Sequence, residues 1–294
     1  MGVILLGGGL MITGKKIGMV ILNYNDSQTV KEYYHLIKEY HSIDHIVIVD
    51  NKSPDGSFEK LKPLAGGNIE VIQTNQNKGY SYGNDFGIKY LMEHYHVDIL
   101  FISNPDVEYP ESFLEKIVQD MIDHKAKAAT GYMHAPCEAI MNRRINTYWR
   151  EVLDCTCILR RIFPFRGKLV KPGQGIIQTE WVPGSLFAID AAAYQEVHGF
   201  DENVFLYYEE QILGKKFIDA GYKMIVDTDI EYKHNVSVSI DKAMKKVSKL
   251  KQLYKSKYYF YTHYEHIGLA KKILMQIATR YSVLRIRIKI KLIG

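Results

Sequence analysis

The sequence predicts an α/β fold: a mainly parallel sheet with helices on both faces. Three observations predict it. Short, all-apolar runs alternate with amphipathic stretches through the first half of the chain. Those runs lack the strict polar–apolar alternation of a half-solvated strand, so both their faces must be covered. The residues that close them are Asn, Asp, Pro and Gly, which make turns.

The elements follow in order. IGMVIL (17–22) reads as a buried strand, and SQTVKEYYHLIKEY (27–40) as a helix with Ser27 as its N-cap. HIVIV (45–49) and IEVIQ (69–73) are the next strands. SYGNDFGIKYLMEHY (81–95) is helical in its later part. DILFIS (98–103), a helix over 111–124 and a strand over 126–133 complete this half. Residues 134–176 read as irregular and basic. WVPGSLFAID (181–190) resumes strand character, 208–220 looks helical, and YKMIVD (222–227) is a last apolar strand. The remainder is helical, except that RIRIKIKL (285–292) alternates at period two like a half-buried strand.

Composition sets limits. The 294 residues are 47% hydrophobic and 24% charged, an ordinary globular balance. The three cysteines, Cys137, Cys155 and Cys157, contain no C-x-x-C pair. Neither a disulfide framework nor a zinc site is expected, and a reducing, cytoplasmic setting is. No apolar run reaches the roughly 18 residues needed to span a bilayer. Residues 1–16 are short, apolar and glycine-containing, and read as a disordered or misassigned leader. Residues 241–294 hold 14 Lys and Arg against 2 Asp and Glu, although the whole chain is only +5. Within this basic extension Ile267, Ala270, Ile273, Leu274, Ile277, Ala278, Tyr281 and Leu284 recur at helical spacing. Lys271, Lys272 and Arg280 lie outside that stripe. Contact between this extension and an anionic membrane surface, from the inner face of the cell membrane, is the expectation. No nucleic-acid module is visible.

In a parallel sheet, ligands bind beyond the carboxyl ends of the strands. Four such ends are polar here: Asn23 to Asp26, Asp50-Asn51, Asn75 to Asn77, and Asn104-Pro105-Asp106. Each alone is also ordinary turn chemistry. All four on one edge describe a crevice. Asp106, fixed by Pro105, is a hard-oxygen ligand of the kind Mg2+ or Mn2+ favours while sharing substrate phosphates. Such a metal would neutralise a departing diphosphate. His234 is a candidate further ligand.

The ordered set VILNYND, VDNKSPDGS, NKGYSYGNDFGI, SNPDVEYPESF, WVPGSLFAID, GFDENVFLYYEE and YKH resembles the family-two glycosyltransferases over residues 17–240. These are inverting enzymes of GT-A fold. The likeness is strongest to bacterial rhamnosyl- and galactofuranosyltransferases of surface-polysaccharide assembly. It implies a nucleotide-binding half (17–133), an acceptor and catalytic half (134–240), and a hexose or deoxyhexose as the transferred group. It implies a UDP- or dTDP-sugar donor and a saccharide acceptor, often lipid-linked. Asn25, Asp50 and Asn51 take the place of residues that receive the nucleoside. Asn77, Gly79, Tyr80, Gly83 and Asn84 take that of the segment wrapping the nucleotide sugar. Asn104-Pro105-Asp106 stands at the family's D-x-D element, with its first carboxylate replaced by an amide. Asn104 is then expected to hydrogen-bond a sugar or ribose, and Asp106 to hold the metal. Trp181, Gly184 and Asp201 are expected in the sugar and acceptor pocket.

Glu209-Glu210-Gln211-Ile212-Leu213 stands at the general-base motif, with Glu210 as the base and Glu209 as its alternate. Adjacent helical positions diverge by about 100°. They cannot alone form the facing pair of carboxyls that glycoside hydrolysis needs. Two other readings remain open: a sugar-nucleotide or polysaccharide-binding protein that has lost catalysis, and a sugar nucleotidyltransferase. The latter needs a Gly- and Arg/Lys-rich loop after the first strand, where this chain has NYND.

Overall fold

A computed structural model describes residues 13–134, 144–156, 170–235 and 246–293. The first half begins with β1 (Ile17–Asn23), α1 (Ser27–Ile37), β2 (His45–Asp50), α2 (Ser57–Leu61) and β3 (Ile69–Gln73). It continues through α3 (Tyr80–Tyr95), β4 (Ile99–Ser103), β5 (Val107–Glu108), α4 (Glu111–Asp123) and β6 (Ala128–His134). The second half holds α5 (Tyr148–Cys155), β7 (Ile176–Thr179), β8 (Leu186–Asp190), α6 (Ala191–Glu196), α7 (Glu209–Asp219) and β9 (Met224–His234). Two helices close the chain: α8 (Lys246–His263) and α9 (Leu269–Ile293).

The described strands form one sheet in the order β3-β2-β1-β4-β8-β6-β9-β5, with β7 paired to β9. The β3-β2-β1-β4 block is entirely parallel. From β8 onward the pairing is mixed: β8 runs antiparallel to β4 and β6, while β6 and β9 are parallel. Alternate side chains explain why the first strands read as continuously apolar. Met19, Ile21, Ile46, Ile48 and Phe101 pack under α1 and α4. Val20, Val47, Val49, Leu100 and Ile102 pack with α3 and α7 on the other face.

Five short elements escape a periodicity reading: β5, β7, α2, α5 and α6 are two to eight residues long. The two-residue β5 exists because it pairs with the end of β9. The expected strand over 285–292 is instead the end of α9. Among the described residues no strand pairs with it, and a helix satisfies its own backbone donors and acceptors. Most of the leader, residues 1–12, lies outside the described residues, as do Cys137 and Cys157.

The basic extension is docked. Phe260 and Tyr261 of α8, and Met275 and Ala278 of α9, join Tyr148, Val152, Cys155, Val204, Tyr208 and Ile212 in a third core. The Lys257 ammonium pairs with the Glu151 carboxylate, both side chains only 7% exposed. Tyr148 donates to the Lys271 carbonyl at 2.8 Å, and Tyr254 to Ser282 at 2.6 Å.

A charge pair this deeply buried is costly to break and cheap to replace. Lys257→Met alone should lower stability by about 3–5 kcal/mol, because Glu151 is left buried without its cation. Adding Glu151→Leu should restore most of that loss. Chemical denaturation of the two variants checks it; equal stability of single and double variants would refute the pairing.

Candidate active site

Register places the four polar strand ends side by side. Asn23 lies opposite Asp50, Asp50 opposite Gln73, and Ile21 opposite Ser103. The first turn beyond them is hydrogen-bonded throughout. Asp50, fully buried, accepts from Asn23 Nδ2 (2.7 Å), Gln73 Nε2 (2.8 Å) and the Ser53 N–H (3.0 Å). Asn51 Nδ2 donates to Asn77 Oδ1 (3.1 Å) and the Gly79 carbonyl (2.9 Å). Asn25 is exposed at the rim, with φ +57°, and its N–H donates to Ser53 Oγ at 2.9 Å. Asp50, Asn51 and Asn77 therefore build the rim, Asn77 accepting from Asn51 Nδ2 and the Gly79 N–H, and Asn25 stands exposed beside it.

The glycines are explained by the protein itself. Gly79 has φ +101°, and a Cβ there would stand 1.9 Å from the Phe205 carbonyl oxygen. The next residue, Tyr80, donates its N–H to that same carbonyl at 2.9 Å. A Cβ on Gly83 would strike Leu22 at 2.4 Å. The close approaches expected toward a ligand are thus made to the catalytic half and to β1. Asn84 is wholly buried, donating to the Tyr80 carbonyl at 3.1 Å inside α3.

Tyr80 spans the two halves. Its hydroxyl donates to the Gly184 carbonyl at 2.6 Å, and the Gly184 N–H donates to Glu210 Oε1 at 3.2 Å. A Cβ on Gly184 would lie 3.0 Å from both Glu210 Oε1 and the Tyr80 hydroxyl. Burial, then Glu210 and Glu209, push the Tyr80 hydroxyl well above its ordinary pKa, so it acts as a donor. The neighbouring Ser185 accepts the Asn104 N–H on its carbonyl at 2.8 Å, and its hydroxyl lies 2.8 Å from the Tyr232 hydroxyl. Asn104, Gly184 and Glu210 are in this way held around one short loop.

The two glutamates differ in environment. Glu209 is buried, and its Oε2 has no hydrogen-bond partner among the described residues. Burial, then the Glu210 charge, raise its pKa well above the carboxylate range. Glu210 is half-buried and accepts a backbone N–H, an arrangement suited to a carboxylate. The two adjacent carboxyls thus sit in different surroundings, Glu209 buried with its pKa raised and Glu210 bound by a backbone N–H.

An unusual turn presents them. Tyr207 and Tyr208, with φ +68° and +71°, precede α7 in succession. Non-glycine residues in that region cost on the order of 1–3 kcal/mol each and persist only where surroundings enforce them. Here α8 enforces them. Tyr208 packs on Phe260 with ring centroids 5.5 Å apart, and Ser256 Oγ donates to the Leu206 carbonyl at 2.8 Å.

Asp201 belongs to the same buttress rather than to an open pocket. Its Oδ2 accepts from Tyr264 (2.7 Å) and Tyr259 (2.9 Å), and its Oδ1 from Asn203. Burial raises the Asp201 pKa, but the bonds from Tyr264, Asn203 and Tyr259 outweigh it and hold the carboxyl below its usual range. Trp181 is half-buried and lines a cavity of about 250 Å³ with Arg144, Asn146, Gln211, Leu253 and Lys257. Asp106 and His234 meet because β5 pairs with β9, putting Val107 opposite His234. His234 Nε2 lies 3.4 Å from Asp106 Oδ2. Among the described residues no group of three His, Cys, Asp or Glu surrounds a metal position.

The tyrosine pair, Gln73 and the Tyr259–Tyr264–Asp201 contact were invisible to motif reading. Only strand register or contacts some 60 positions apart bring them into play.

The raised Glu209 pKa has a measurable consequence. In the unfolded chain Glu209 ionises near its ordinary value; in the fold it keeps its proton to higher pH. Its contribution to stability is full below the unfolded pKa and is lost as pH rises through the folded one. Glu209→Gln should therefore gain in Tm over the native protein as pH is raised from 5 to 8, with little difference below 4.5. Thermal melts across that range check it; a constant offset would contradict the assignment.

The comparisons with known proteins agree with this geometry. The profile of glycosyl transferase family 2 matches residues 19–177, more than half of the chain. The low-salt glycan biosynthesis hexosyltransferase of Haloferax volcanii is 24% identical over 197 residues, covering 66% of this chain and 59% of that protein. The chain thus spans less than two thirds of that relative. A mannosyltransferase of Pyrobaculum calidifontis, solved with GDP-Man and Mn2+, superposes with TM-score 0.57 at 13% identity, over 92% of this chain and 72% of its own. GalNAc-T7, solved with UDP, GalNAc and Mn2+, gives 0.58 at 13% identity, over 90% and 55% respectively. These two likenesses concern the fold. The profile match runs from β1 through the polar strand ends to β7, and on that ground the chain is a member of glycosyl transferase family 2, built on the GT-A fold.

Proposed function

We propose that the chain transfers a hexose or deoxyhexose from a UDP- or dTDP-sugar to a hydroxyl of a growing, lipid-linked surface polysaccharide, with inversion, at the cytoplasmic face of the membrane. One observation carries the reading. The path Asn51–Asn77–Gly79–Tyr80–Gly184–Glu210 joins the polar strand edge to a half-buried carboxylate without interruption. A site for a nucleotide and a site for a base are thereby held as one rigid unit, which is what aligned displacement demands. The Haloferax relative is described as a hexosyltransferase, which supports the hexose class.

Glu210 removes the proton from the acceptor hydroxyl. The freed oxygen forms its bond to the anomeric carbon from the side opposite the diphosphate. The bond from that carbon to the phosphate oxygen breaks, and its electron pair leaves with the nucleotide. The Gly184 N–H fixes the carboxylate, and Tyr80 fixes Gly184. The cavity beside Trp181 lies next to Gln211, the residue after Glu210, and supplies an aromatic face and amides for an acceptor sugar.

A divalent cation fits the Asp106–His234 pair. One carboxylate and one imidazole are two ligands, which leaves positions for diphosphate oxygens and water. Carboxylate with imidazole suits Mn2+ at least as well as Mg2+. When bound, the ion would neutralise charge building on the leaving diphosphate. The two structural relatives solved with Mn2+ are consistent with this.

A thermal-shift panel of UDP-, dTDP- and GDP-sugars, with and without Mn2+, tests the donor. Stabilisation grows as RT ln(1 + [L]/Kd), so one donor should stand out and its shift should grow with Mn2+. Asp106→Asn and His234→Ala should remove the Mn2+-dependent part and keep the remainder. No shift with any nucleotide sugar would sink the reading. Glu210→Gln should retain the donor shift and lose about 10²–10⁴-fold in kcat. Full turnover by this variant would rule out Glu210 as the base.

A further inference from the structure

Helix α9 has two apolar faces, and among the described residues only one is packed. Met275, Ala278 and Ser282 are buried against the third core. On the opposite side Leu269, Ile273, Ile277, Leu284 and Ile288 face solvent, with Leu269 74%, Ile277 59% and Leu284 57% exposed. At 100° per residue these five fall within an arc of about 100° and run about 28 Å along the helix. The regularly spaced residues in the sequence thus split between two surfaces. Of the eight that recur at helical spacing, only Ile267 and Ala278 are buried in the structure.

A stripe of this length is more than the scattered apolar residues of an ordinary surface. Its charge indicates what covers it. Helix α9 carries seven Lys and Arg and no Asp or Glu. Arg280 and Arg287 share the exposed apolar arc, where their long stems can lie along it and raise their heads to phosphate level. A protein partner would have to offset this one-signed charge around an aliphatic strip. A bilayer with anionic headgroups supplies both partners at once. No described helix is long and apolar enough to cross a membrane, so a bilayer would be met by the side of α9, in the interface plane.

We propose that the exposed face of α9 docks on an anionic lipid surface, with Leu269, Ile273, Ile277, Leu284 and Ile288 entering the acyl boundary and the flanking cations meeting phosphate headgroups. The inference stands on α9 alone and does not depend on the sugar chemistry. Helix α8 packs on α9 and contributes Leu253 and Lys257 to the cavity beside Trp181. Docking would therefore bring that cavity close to the bilayer.

The test is co-sedimentation of the full chain with sucrose-loaded vesicles of phosphatidylcholine alone, or of phosphatidylcholine and phosphatidylglycerol at three to one. Native protein should partition onto the anionic vesicles at least tenfold more than onto neutral ones. Ile273→Glu combined with Ile277→Glu should lose at least tenfold of that binding. Leu284→Glu with Ile288→Glu, at the end of the helix, provides a second pair should the first fold poorly. Ile122→Glu, an exposed apolar residue on α4, should bind as the native protein does. Equal binding by the native protein and both double variants would overturn the proposal. So would absence of vesicle binding together with a dimer in ultracentrifugation that Ile273→Glu/Ile277→Glu converts to monomer, since the face would then belong to a second copy.

Discussion

The turn at Tyr207–Tyr208 is the point on which the placement of Glu209 and Glu210 rests. Two large side chains in the left-handed region are unfavourable on their own. They are held because Tyr208 is buried under Phe260 and because Ser256 grips the Leu206 carbonyl. From that turn α7 starts, and its first two residues are the glutamates. The basic extension is therefore part of what positions the two glutamates. It supplies the packing that enforces a strained turn, and the buried Lys257–Glu151 pair and the Asp201–tyrosine contacts fasten it there.

The polar strand edge poses a different problem. Its polar groups sit at the ends of strands whose bodies are apolar. Asp50 has no exposure and would be costly if unpaired. Three donors satisfy it, and it in turn orients Asn23, Ser53 and Gln73. Asn51 does the same for Asn77 and Gly79. The inner ring of the edge is therefore scaffold, and Asn25 stands exposed outside it.

Much of the fold was legible in the sequence because it obeys local rules. The strands of the parallel block are apolar on both faces, and α1 and α4 have amphipathic periods that expose their boundaries within a few residues. What escaped is non-local. β5 and β7 are defined by pairing with β9. The period-two run at 285–292 reads as a strand until the lack of a partner strand decides otherwise. For the site, residue types and order marked Asp106, His234, Gly184 and Glu210, and the structure holds Gly184 to Glu210 and Asp106 to His234. The same signal could not tell that Asp201 serves the extension, or that Gly79 makes room for Phe205. Both depend on contacts across more than 50 positions.

The Gly79–Phe205 contact joins the two halves through main-chain atoms, and Tyr80 donates to the same carbonyl. A joint of this kind is insensitive to the side chains around it, apart from the glycine. Under the proposed reading, with the donor at the polar strand edge and the acceptor in the cavity beside Trp181, residues at either end can change without disturbing the alignment between them. Substrate specificity at the two ends can then drift independently while the distance over which the sugar travels stays fixed.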